Sequence, residues 1–120
     1  MSDRIYSIIH KGHKIYYTDW TGFKVESEAL AAIQETSEFI VTQGEYELLE
    51  LIDVTNSISP PLVLSALMEC AKKVQPYSKK KAIIGINGAK LFLLKAVNKF
   101  IDGKITGFIH KEDALDWLID

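Results

Sequence analysis

The side chains able to do chemistry concentrate where an apolar run gives way to a polar turn. Asp53 closes the run Leu48-Leu49-Glu50-Leu51-Ile52 and is followed by Val54-Thr55-Asn56-Ser57-Ile58-Ser59-Pro60-Pro61. If the run is a strand and the prolines open a helix, these polar groups face a helix N-terminus. Backbone N–H groups and the helix dipole favour a small anion, a phosphate or a partner's carboxylate there. The same residues also suit plain turn-making, with Ser59 as the helix N-cap and Asp53 or Thr55 accepting backbone N–H groups. Ser57 and Ser59 are the candidate phosphorylation sites, since a phosphate gains from the dipole at a helix start.

A second stretch, Asn87-Gly88-Ala89-Lys90, turns the chain from an apolar run into an apolar helix. It lacks the G-x-x-x-x-G-K-[ST] spacing that wraps phosphates and has no hydroxyl after the lysine, so nucleotide hydrolysis is rejected. In an α/β sheet, ligands favour the crevice beyond the carboxyl ends of the strands. Asp19 to Gly22, the turn after Asp53, Asn87 to Lys90 and His110-Lys111 are all expected at that end. The candidate binding set is Asp53, Thr55, Asn56, Ser57, Ser59, Asn87, Gly88 and Lys90.

Catalytic and metal chemistries find less support. His10, His13 and His110 form no i, i+4 pair and have no Cys or Glu at ligand spacing, so no metal and no cofactor are expected. Cys70, the single cysteine, falls on the apolar stripe of a predicted helix and reads as a small hydrophobe rather than a nucleophile. Asp53 has no visible nucleophile or second carboxylate to serve. A pocket gathering Asp19, Asp53 and His110 would reopen the question of an enzyme. Without one, no enzymatic activity is expected.

The composition is that of an ordinary globular domain: 120 residues, 48% apolar, 25% charged and net charge −2. One domain spanning residues 1–120 is the length expectation. The slight acidity argues against a nucleic-acid partner. One cysteine permits no internal disulfide, and no apolar run reaches the ~20 residues of a membrane span. A cytoplasmic location without membrane insertion is the expectation.

The hydrophobic pattern supplies the frame. Residues 4–10 and 14–20 form a hairpin around Lys11-Gly12-His13. Helices are expected over residues 26–42, from Pro60-Pro61 to Pro76, from Gly88 to Asp102, and from His110 onward. Strands are expected at 48–54, 82–86 and 105–109, with Lys79-Lys80-Lys81 as a solvated lead-in. Glu50 should find an edge, a partner or a tilt toward solvent. Leu91, Leu94, Val97, Phe100 and Ile101 should face inward. Trp117 is expected in the core, although an exposed patch there would suit a homodimer or another partner; Trp20 is left open. The order β-β-α-β-α-β-α-β-α implies an α/β fold with a mostly parallel sheet of four to five strands, an antiparallel N-terminal hairpin strand and about four helices.

Four stretches carry a family resemblance. They are Leu51-Ile52-Asp53-Val54-Thr55; Pro76-Tyr77, the lysines and Ala82-Ile83-Ile84-Gly85; Gly88 with its helix; and Phe108 followed by Glu112-Asp113-Ala114-Leu115-Asp116-Trp117-Leu118. In order and spacing, over residues 14–119, the chain resembles the STAS / anti-sigma-factor-antagonist family, and more narrowly its small bacterial SpoIIAA-like (STAS/SEC14-type) members. The resemblance implies a βα superhelix without catalytic machinery that acts through protein–protein contacts, here by way of residues 55–61. In some relatives it implies a small-molecule or lipid ligand. Anti-sigma antagonists carry a D-S-S/T-G turn with a phosphorylated hydroxyl; Asn56-Ser57-Ile58-Ser59-Pro60-Pro61 departs from it, so that phosphosite is not carried over. A ligand carrier would need an internal apolar cavity, for which 120 residues leave little spare helix.

Overall fold

Two residues with left-handed backbone make the first turn. Lys11 (φ 49°) and Gly12 (φ 83°) join β1 (Ile5–His10) to β2 (His13–Asp19), with His10 opposite His13. Two consecutive positive φ angles give the hairpin connection whose twist matches its strands. The computed structural model describes residues 4–58, 60–86, 91–100 and 105–120. Beyond the hairpin come α1 (Glu26–Thr42), β3 (Leu48–Asp53), α2 (Pro61–Val74), a 3-10 turn (Gln75–Tyr77), β4 (Ser78–Ile84), α3 (Leu91–Phe100), β5 (Ile105–Phe108) and α4 (Lys111–Ile119).

The sheet runs β1-β2-β3-β4-β5, with β1 antiparallel to β2 and the remaining pairs parallel. This is the α/β architecture expected from the pattern. Side chains alternate between the faces, and each face has its own cover. Ile15, Tyr17, Leu51, Ala82 and Ile84 pack against Ala114, Leu115 and Leu118 of α4. On the opposite face Tyr16, Trp20, Ile52 and Ile83 form a larger core with α1, α2 and α3. Asn98 of α3 clamps β5 by donating to Ile105 O (2.9 Å) and accepting from Ile105 N (2.8 Å).

Some expectations need correction. β4 begins at Ser78, so the three lysines lie inside the strand rather than in a solvated lead-in. Lys81 is 4% exposed on the α1–α3 face. Lys80 turns to the other face, over the Trp117 ring at 4.6 Å, and donates to Trp117 O at 2.8 Å and Asp120 O at 3.2 Å. An ammonium there complements the C-terminal carbonyls of α4. The N-cap of α2 is Pro60 rather than Ser59, with Pro61 starting the helix. Trp117 is half-buried beside Phe108, whereas Trp20 is buried and donates through Nε1 to Thr36 Oγ1 at 3.1 Å. Leu94 and Val97 lie against the core. The side chains of Leu91 and Phe100, and all of Ile101, fall outside the described residues.

Candidate functional site

The C-terminal ends of β2 and β3 are built alike. Asp19 Oδ1 accepts Thr21 N (3.0 Å) and Thr21 Oγ1 (2.6 Å); Asp53 Oδ1 accepts Thr55 N (3.0 Å) and Thr55 Oγ1 (2.6 Å). Each Asp-x-Thr thus folds on itself as a strand exit, the local bonding that short polar side chains offer the backbone. Asp53 Oδ2 accepts Tyr17 Oη at 2.8 Å, and burial together with that carboxylate pushes the phenol up. Arg4 donates to the carbonyls of Asp19 and Thr21 at 3.1 and 3.2 Å.

The two turns are then stitched together. Trp20 N donates to Asp53 O (2.8 Å), Gly22 N to Thr55 O (2.9 Å) and Ile58 N to Phe23 O (2.9 Å). Lys24 Nζ reaches Asn56 O at 2.6 Å. Ser57 is buried between them, donating to Trp20 O and accepting Phe23 N at 2.9 Å. Attachment of a phosphoryl group at Ser57 Oγ would remove the proton that this hydroxyl donates to Trp20 O and bring a charged group into the buried space between the turns. Gly85 (φ 90°) lies beneath, where a Cβ would sit 2.4 Å from Thr55 N. Only glycine allows that approach of β4 to the turn.

Among the eight candidate binding residues, the fold brings Asp53, Thr55, Asn56 and Ser57 into this rim, with Thr55 and Asn56 exposed. Ser59, Asn87, Gly88 and Lys90 lie outside the described residues. The helix starts offer an anion less than their number implies. Pro60 and Pro61 contribute no N–H, α1 opens with Glu26 and Glu28, and α4 opens with Glu112 and Asp113. Asp19, Asp53 and His110 share no hydrogen bond among the described residues.

Polar groups that carry no motif lie in the interior. Tyr16, Glu50 and Lys81 are neighbours across β2, β3 and β4, with Thr18 beside Ile52 in the next row of the same face. Glu50 is 3% exposed and accepts Ser78 Oγ, and Lys81 Nζ donates to Ala71 O at 3.2 Å. Burial pushes the Glu50 carboxyl above its ordinary value and pulls the Lys81 ammonium below its own, while their mutual attraction opposes both. Thr18 is 1% exposed, and its Oγ1 has no hydrogen-bond partner among the described residues. All three line a cavity of about 80 Å³ whose other walls are mostly apolar. This space between the sheet and the helices is partly open rather than sealed.

The expectation that Glu50 finds a partner points toward this row. Lys81 looks no different in sequence from its two neighbours, and Thr18 sits in a run of β-formers. Cys70 lines the same cavity, and burial drives its thiol up to about 12, which fits packing. His10, Glu112 and Asp116 bring ligand-type atoms within 4.8 Å of one another at the other side of the sheet. There His10 Nε2 bonds Asp116 Oδ1 at 2.8 Å, and Lys11 Nζ sits 3.0 Å from the same oxygen. The Lys11 ammonium thus competes with any cation for Asp116.

No helix among the described residues is long and apolar enough to cross a membrane. No protein-family model matches the chain, and no curated protein matches it. Its structure is similar to the crystal structure of an uncharacterized protein from the DUF3478 family with a SpoIIAA-like fold, from Shewanella loihica PV-4. The TM-score is 0.73 over 95% of this chain and 91% of that one, at 21% sequence identity. Agreement over nearly all of both chains, with the strand order and helix placement described above, identifies the architecture: this chain has the SpoIIAA-like fold.

Proposed function

We propose that the protein is a non-enzymatic interaction module of the STAS type, and that the turn and helix start at residues 55–61 recognise a protein partner. The observation that carries this reading is the contrast within the rim. Its backbone is held by bonds between two turns, while Thr55, Asn56 and the side chain of Leu62, 60% exposed, face outward. A surface fixed before binding loses little conformational entropy on association. An exposed leucine beside polar hydrogen-bonding groups has the make-up of an interface centre with a polar rim. The non-enzymatic reading draws support from Asp53 and Ser57, whose side chains are engaged in holding the turns, and from the buried Cys70 thiol.

A photo-crosslinking residue at Asn56 or Leu62, in cells producing the protein, is expected to give one defined protein adduct. The same probe at Ile9, 71% exposed on β1, is expected to give none. Adducts at neither rim position, or equal labelling at Ile9, would overturn the proposal. Leu62→Glu is expected to abolish the adduct at Asn56 without unfolding the domain.

A further inference from the structure

We infer that the cavity between the sheet and α2 and α3 is a binding site for a small uncharged molecule with a short apolar body and one hydroxyl or carbonyl oxygen. This site is separate from the rim and independent of its role. Thr18 lines the cavity, and its Oγ1 is buried and lacks a hydrogen-bond partner among the described residues. Most buried hydroxyls in native proteins are paired, and one that is not needs an explanation, which an occupant of the adjoining cavity supplies. Trp20, Leu64, Leu67 and Val97 supply apolar walls on the helix side, with Ile52 and Ile83 on the sheet.

The polar lining sets the chemistry. Lys81 Nζ is turned to Ala71 O, so the ligand oxygen is met by the Thr18 hydroxyl. Glu50 and Lys81 already oppose each other in charge, so a charged ligand would bring an uncompensated charge into the interior. Size sets the remaining limit. About 80 Å³ is well below the roughly 150 Å³ of an engineered cavity that takes benzene, which leaves room for a handful of non-hydrogen atoms and none for an acyl chain.

The test is an NMR titration of methyl-labelled full-length protein with 2-propanol, propane under pressure and acetate, each small enough for the cavity. Saturable shifts are expected at Leu67, Val97 and Ile83 with 2-propanol. Propane is expected to bind about tenfold more weakly, the worth of one hydrogen bond, and acetate not at all. Thr18→Val preserves shape and is expected to shrink that preference to within about twofold, since the bond is gone. Ala71→Leu, which fills the volume and leaves Thr18 in place, is expected to abolish binding of both neutral probes with the fold intact. The inference is overturned by absence of saturable shifts in the unmodified protein, by shifts confined to Thr55 and Leu62, or by a preference that survives Thr18→Val. It is equally overturned if binding survives Ala71→Leu, or if Thr18 holds an ordered water that 2-propanol does not displace.

Discussion

The rim after β3 and the cavity inside the sheet each gather carboxylate, hydroxyl and ammonium groups, and the fold uses them differently. At the rim, Asp19 and Asp53 each accept two bonds from their own turns, and Ser57 both donates and accepts between the two loops. In the interior, Glu50 and Lys81 hold one hydrogen bond apiece, to Ser78 and Ala71, and Thr18 holds none among the described residues. Polar residues that look functional because they cluster in sequence are here the means by which loops are fixed. Polar residues scattered one at a time through apolar strands converge on a shared space and keep bonding capacity unused.

The largest effect that sharpens this contrast comes from the charges. Lys81→Met is expected to cost about 3–5 kcal/mol of unfolding free energy, because Glu50 is left in the interior without its counter-charge. Glu50→Gln combined with Lys81→Met should cost less than the sum of the single changes by about 0.5–3 kcal/mol, as urea unfolding of the four proteins would measure. Strict additivity would mean that the two groups act separately.

That pair also shows how much was legible in the sequence. The order of strands and helices could be read from hydrophobic pattern because near-continuous apolar runs such as Leu48 to Ile52 suit strands covered on both faces, and the stripe Val63, Cys70, Ala71 and Val74 recurs at helical spacing. The equivalence of Asp19-Trp20-Thr21 and Asp53-Val54-Thr55 was present as a repeated Asp-x-Thr after each strand. Lys81 was not legible. Three consecutive lysines in a strand alternate between faces, and which one turns inward depends on the register of β4 against β3, which local pattern does not encode. Thr18 was hidden for a related reason: a threonine suits a strand whether or not its hydroxyl finds a partner.

A pair of hydroxyl deletions should next give opposite signs. Ser57→Ala removes two bonds and leaves the Phe23 N–H and the Trp20 carbonyl short of a partner, with an expected loss of about 1–3 kcal/mol. Thr18→Val removes a hydroxyl that lacks a bond and is expected to raise stability by about 1 kcal/mol, read from the same unfolding curves. A loss of stability in Thr18→Val would break the contrast between rim and interior.

The smallest expected effect is a pH slope. The folded-state value of Glu50 lies above the ordinary 4.5, so over that interval the folded protein holds more protons than the unfolded chain. Its contribution is fully present below 4.5 and is lost as pH rises through the folded value. Lys81 acts in the opposite sense on the alkaline side, adding stability as pH climbs from its lowered folded value toward 10.5. Glu50→Gln should flatten the acid-side slope in unfolding midpoints measured across pH, while an equivalent change at an exposed acid such as Glu38 leaves it in place.

Strand order across the sheet repeats strand order along the chain, from β1 at one edge to β5 at the other. No strand has to be inserted between two that have already paired, and each new pairing spans only a hairpin turn or one helical crossover. Folding slows as contacts become more distant in sequence, so this arrangement keeps the search for each partner short. The sheet can grow by accretion from the hairpin outward, each completed strand presenting a free ladder to the one that follows it.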